Sequence, residues 1–106
     1  MKPHEYVIME IARERERQMT QEGWTPEHDD RHSDGELARA AAGYALNAGT
    51  ERWVKLMRPA SADNPPAWWP WPDWWKPKNP RRDLVRAAAM IVAEIERLDR
   101  AANQQG

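Results

Sequence analysis

Lys76, Lys78, Arg81 and Arg82 crowd the predicted start of the last helix, directly behind Trp74 and Trp75. A helix start already presents free amides and the positive end of its dipole, so four cations there repel it and one another. An anion settling between them accounts for the crowding, because helix amides and guanidinium forks both suit a phosphate or a carboxylate. Trp74 and Trp75, together with Trp24 from earlier in the chain, offer flat faces on which a base can stack. The competing reading is internal: Arg81 and Arg82 pair with Glu27, Asp29, Asp30 or Asp34 of the same molecule.

A second constellation is the acidic run Glu27-His28-Asp29-Asp30-Arg31-His32-Ser33-Asp34. His28 and His32 stand four apart with Asp30 between them, a spacing that could hold a divalent cation on a helix. Pro26 and a capping box of Ser33 with Glu36 make the run mostly loop, fixed by Asx turns and ion pairs. No metal and no cofactor are therefore expected. Neither histidine has a serine or cysteine nucleophile signature beside it. A third set is Glu10, Glu14, Glu94, Glu96 and Asp99. The Glu96…Asp99 ExxD string resembles that of helical NTP pyrophosphohydrolases of the MazG type, which hold Mg²⁺ on packed helices. The EExxE partner is missing here, and arginines interleave the acids of the first helix.

The elements that must position these groups are helical. Pro3 to Gln21 forms a first helix with Pro3 in its first turn, Glu5 near its positive end and Gly23 beyond its stop. Tyr6, Ile8, Ile11 and Met19 mark its apolar stripe, and the charged RERERQ half is expected to be a solvated face or rim. Glu22 to Asp34 is a loop. Leu37, Ala40, Ala41, Tyr44, Ala45 and Ala48 then share one face of a second main helix, whose small residues let a neighbour approach closely. Thr50 begins a short helix over Glu51 to Arg58 that presents Trp53, Val54 and Met57. The last helix is capped by Asn79 with Pro80 in its first position. Its stripe of Leu84, Ala88, Ile91, Ile95, Leu98 and Ala102 runs at heptad spacing, widened by Val85 and Val92.

Between these helices lies an irregular Pro59–Asn79 segment. Pro65 to Asp83 alone holds five of the seven tryptophans and six of the nine prolines of this 106-residue chain. Proline at that density excludes a helix interior or a paired central strand. Five indoles left in water would each forfeit roughly 2 kcal/mol. They are expected to cover the core, line a pocket or meet a second subunit. The fold expected is all-α: one domain, a small bundle of three main helices with the long Pro/Trp-rich segment packed across it. A net charge of -1 gives no global field for bulk nucleic acid or acidic membranes. Cysteine is absent, which removes disulfides and thiolate sites. With neither a signal-like apolar run at the start nor a membrane-length one elsewhere, a cytoplasmic protein is expected.

Two strings, ERERQ…EGWTPEHDD…GELA and WWKP…RRDLVRAAAMIVAEIERLDR, resemble a family of small tailed-phage and prophage proteins over nearly the whole chain outside Thr50–Pro66. A fainter likeness runs to the RyR domain. Arg13, Arg17, Gly23 and Trp24 fit the first part of that module, and Trp75-Lys76-Pro77 with Arg82-Asp83 loosely fit the second. The alanine helix and the tryptophan cluster depart from it. That likeness implies a nucleotide-type ligand held by aromatic and arginine residues. The expectation is a non-catalytic phage accessory protein that binds a phosphorylated small molecule or nucleotide, a sponge for a host defence signal acting in the host cytoplasm. The ligand residues would be Trp24, Trp74, Trp75, Lys76, Lys78, Arg81 and Arg82. Self-association as a homodimer or higher closed oligomer is expected from the surplus of tryptophan. The alternatives are a Trp/Pro surface that binds a host protein and a metal-dependent nucleotide hydrolase.

Overall fold

The computed structural model describes residues 1–49 and 65–105. They form four α-helices: α1 (Pro3–Thr20), α2 (Pro26–Asp30), α3 (Glu36–Ala48) and α4 (Pro80–Gln105). A 3₁₀ turn spans Pro72–Trp74, and no strand occurs among the described residues. The architecture is the expected all-α one, with three main helices. The short helix expected over Glu51 to Arg58, its cap Thr50 and the first part of the Pro/Trp segment lie outside the described residues.

The helix starts follow local chemistry. Pro3 opens α1, and Glu5 Oε1 accepts from the Lys2 amide at 2.9 Å. Pro80 opens α4, where Asn79 Oδ1 accepts from the Arg82 amide at 2.9 Å. Each arrangement satisfies donors that a helix start leaves unpaired. The Glu22–Asp34 stretch is not all loop, because α2 occupies Pro26–Asp30. Thr25 caps it by accepting from the His28 amide at 3.3 Å, and Pro26 takes the first position. Thr-Pro is itself a helix-start pair, which outweighs the reading of Pro26 as a breaker. The expected capping box of Ser33 does not form. Gly35 stands before α3 at φ 82°, a left-handed turn that a Cβ would strain, and Glu36 Oε1 accepts from the Asp34 amide at 2.7 Å instead.

α4 is the spine of the molecule; α3 packs on it most extensively, then α1, then α2. Ala40, Ala41 and Tyr44 of α3 share one buried cluster with Ala87 and Met90 of α4, and Leu37, Val85, Ala89 and Ala93 are buried as well. So the α3 face was rightly placed by its periodicity, and its small side chains bring the two backbones close. The Pro/Trp segment lies across this pair. Trp69 seats its ring on Gly43, where even a Cβ would stand 2.8 Å from the indole. Trp75 stacks on Tyr44, with ring centroids 5.2 Å apart and planes within 12°.

Two helices turn their faces the other way from their apolar stripes. On α1 the buried residues are Glu14, Arg15 and Gln18, whereas Tyr6 and Ile8 are exposed. The RERERQ stretch is thus in part an interior face, not the solvated one expected. On α4, Leu84, Ile91, Ile95 and Leu98 of the heptad stripe are exposed, and so is Val92. The polar interior is tolerable because its charges are paired. Arg15 donates to Asp29 at 3.0 Å, to Glu96 at 3.2 Å and to the Trp24 carbonyl at 3.0 Å, tying α1 to α2 and α4. Glu14 accepts from Arg17, Gln18 and Arg82. No helix among the described residues is long and apolar enough to cross a membrane.

Candidate functional site

A polar clamp beneath the Pro/Trp segment sets the geometry of the site. The Tyr44 hydroxyl accepts from Arg86 at 2.8 Å and from the Lys76 amide at 3.1 Å, and it donates to the Trp74 carbonyl at 3.2 Å. Arg86 also donates to the Lys76 carbonyl at 2.6 Å and to Asp83 at 3.2 Å, with its guanidinium 4.1 Å from the Tyr44 ring centroid. Asp83, itself buried, accepts from the Lys78 amide at 2.8 Å. Three residues of α3 and α4 therefore hold the backbone from Trp74 to Lys78 in place. Buried networks with every member satisfied are stiff, which suits a site that must keep its shape.

On one side of this clamp lies an aromatic pocket of about 420 Å³, between α2 and the 3₁₀ turn. Its walls include Trp24, His28, His32, Trp71 and Trp74. Trp24 forms the floor: its ring is parallel to His28 within 2° and lies 5.3 Å from Trp74 and 6.0 Å from Trp71. His32 closes the circuit, 4.7 Å from His28 and 5.1 Å from Trp71. The volume falls within the range of small-ligand sites, roughly 300 to 1,000 Å³, and the lining is of the kind on which planar rings stack.

On the other side is a basic cleft of about 320 Å³, lined by Arg17, Lys76, Lys78, Arg82 and Arg86 with Glu22 as its acid. Trp74 and Glu22 line both cavities, so the two share a wall. Lys76 places its ammonium 4.9 Å from the Trp74 ring centroid, a cation–π contact at that wall. The arginines reach the cleft already partnered. Arg17 holds Glu14 and Glu22, Arg82 holds Glu14, and Arg86 holds Asp83. Burial pushes the Glu14 carboxyl up, but the hydrogen bonds from Arg17 and Arg82 outweigh it and hold the carboxyl below its ordinary range. Five cations against Glu14, Glu22 and Asp83 leave a local positive surplus.

The seven residues expected to hold a ligand divide. Trp24 and Trp74 line the aromatic pocket; Trp74, Lys76, Lys78 and Arg82 line the basic cleft. Trp75 lines neither, because it packs on Tyr44 and Trp69. Arg81 also lies outside, in a two-pronged pair with Glu10 at 2.7 and 2.8 Å; that hydrogen bond first, then the charge of Arg81, lowers the Glu10 pKa. The competing internal-pairing reading was right in kind, but the acids come from α1 and not from the Glu27–Asp34 run. The start of α4 is likewise occupied from within by Asn79 and Asp83.

Sequence reasoning missed Arg17, Trp71 and Arg86 as members of the site. Arg86 left one signal: with Asp83, Met90 and Ala93 it falls on a single helical face, the one α4 buries. His28 and His32 belong to the pocket wall. His28 Nδ1 lies 3.2 Å from Asp29, His32 Nδ1 lies 3.2 Å from Glu36, and Asp30 pairs with Arg100 at 2.8 Å. Among the described residues no group of three or more acidic or histidine side chains converges as a metal would require. Of the ExxD string, Glu96 is engaged by Arg15, and Glu94 just before the string is held by Arg97. Comparison with known proteins finds no matching family model, no matching curated protein and no matching solved structure.

Proposed function

We propose that this protein is a non-catalytic binder of a phosphate-bearing, nucleotide-type ligand. The base stacks among Trp24, Trp71 and Trp74, and the phosphate lies over Lys76, Lys78 and Arg82. The observation that carries this reading is the shared wall: Trp74 separates a ring-lined pocket from a cation-lined cleft, the two halves that such a ligand needs side by side. Lys76 and Lys78, both exposed and in no ion pair among the described residues, are the cations whose charge a phosphate can take up without breaking an internal bond. In the tailed-phage setting that the sequence resembles, a small binder of this kind would work in the host cytoplasm by sequestering a phosphorylated defence signal.

Titration of a panel of nucleosides, nucleotides and cyclic nucleotides, followed by tryptophan fluorescence and melting temperature, tests this. A phosphorylated member should quench the emission and raise the melting temperature, and Lys76→Glu with Lys78→Glu should weaken it at least about tenfold while leaving the fold intact. Silence across the panel refutes the reading. A second reading, a surface for a host protein, is favoured by Trp68, whose indole-bearing residue is 42% exposed. In that case Trp68→Ala should abolish capture of the host protein, and the lysine changes should not.

A further inference from the structure

The largest feature unused by this site is apolar and faces outward. Leu84, Ile91, Val92, Ile95 and Leu98 form a stripe along α4, each between 38% and 53% exposed. Four consecutive residues of α1, Tyr6 to Met9, are 40% to 60% exposed, so the start of α1 is bare on all sides. The two surfaces adjoin where Glu10 grips Arg81. Leu84, Ile91, Ile95 and Leu98 keep the seven-residue rhythm of a helix seam, which α4 does not spend on its own bundle. With roughly 200 Å² of surface per residue at these exposures, the α4 stripe offers roughly 490 Å² and both surfaces together roughly 900 Å², against about 800 Å² per partner in a standard stable interface.

We infer that a second copy of this chain covers this face, with the two α4 helices antiparallel about a two-fold axis near Ile91. The start of each α1 then lies against the other copy, supplying the area that the stripe alone lacks. Symmetry makes such a contact close on itself. Charge selects the direction. α4 begins among Lys76, Lys78, Arg81 and Arg82, so a parallel pair would bring together two cationic, dipole-positive ends. Antiparallel pairing separates those ends and turns each toward the half of its partner that carries the exposed Asp99, where Glu94 and Glu96 are already held by Arg97 and Arg15. This interface differs from the tryptophan-mediated one that composition suggested, and it is independent of any ligand.

Sedimentation at micromolar concentration should give the mass of a dimer. Ile91→Glu with Ile95→Glu should give a monomer that keeps its helical circular dichroism, since both side chains are exposed in the single copy. The chain has no cysteine, so introduced thiols report cleanly. Ile91→Cys should cross-link to itself. Leu84→Cys should not, because its equivalents lie roughly 21 Å apart in an antiparallel pair. An equal mixture of Leu84→Cys and Leu98→Cys should link. A wild-type monomer, which would leave the face to another part of the chain or to a foreign partner, overturns the proposal. So does a dimer indifferent to the glutamates, and so does self-linking of Leu84→Cys.

Discussion

One Pro/Trp segment supplies two aromatic clusters in opposite surroundings. Trp69 and Trp75 sit edge to face, 4.8 Å apart, and both pack on Tyr44 over the bare backbone at Gly43. Trp74, where that clamp begins, and Trp71, three residues earlier, lean instead on Trp24 and leave a cavity open. The residue type is the same, and so is the stretch of chain. What separates the clusters is whether α3 lies directly beneath a ring or α2 stands off across a gap. Tryptophan therefore identifies where burial energy is concentrated, and only the neighbouring backbone tells whether the rings fasten the fold or line an open cavity.

Substitutions can break this division in order of size. Trp69→Ala should cost about 3 to 5 kcal/mol of stability, because it empties a buried site between α3 and the segment; urea denaturation would measure it. A cost under about 1 kcal/mol would mean that the inner cluster is not structural. Gly43→Ala should cost about 1 to 3 kcal/mol, since the added Cβ meets the Trp69 ring at 2.8 Å and the ring must move. Tyr44→Phe removes a hydroxyl that serves Arg86, Lys76 and Trp74, and should likewise cost about 1 to 3 kcal/mol. Because the hydroxyl also fixes Trp74, this variant should weaken the ligand, linking the two clusters in one measurement.

Trp71→Ala should act in the opposite sense. The expected outcome is a loss of about 1 to 3 kcal/mol in nucleotide binding, seen by calorimetric titration, with a smaller change in stability than Trp69→Ala produces. Equal destabilisation by the two alanines would erase the distinction. The gentlest probe is acid. Glu14 titrates below its unfolded value near 4.5, so its contribution to stability is complete above that pH and is lost as pH falls through the lower folded value. Melting temperature should fall over that window in the wild type and less steeply in Glu14→Gln.

Much of the fold could be read from the chain. Asn79-Pro80 marks the start of α4, and the alanine face of α3 identifies itself by spacing, because caps and periodicity act within a few residues. The stripes of α1 and α4 misled for a definite reason. Periodicity finds an amphipathic face but not the surface it meets, and in the single copy both helices pack through Glu14, Arg15, Arg86 and their partners while Ile91 and Ile95 look outward. Half of the site was legible in the same limited way. Lys76, Lys78 and Arg82 declare themselves as neighbours in sequence, whereas Arg17 joins them only because α1 crosses α4.

The sequence by itself determined that the chain would be helical, that its tryptophans would gather on one stiff irregular segment, and that cations would follow them. These are consequences of proline, capping and composition, all short in range. Only the tertiary structure decided that Trp75 and Arg81 serve the protein itself, that Trp71, His28 and His32 complete a pocket, and that the cleft lies beside the start of α4, not on it. Those outcomes depend on which carboxylate reaches which guanidinium across α1, α2 and α4, and such pairings are settled by distance in space, to which spacing along the chain is blind.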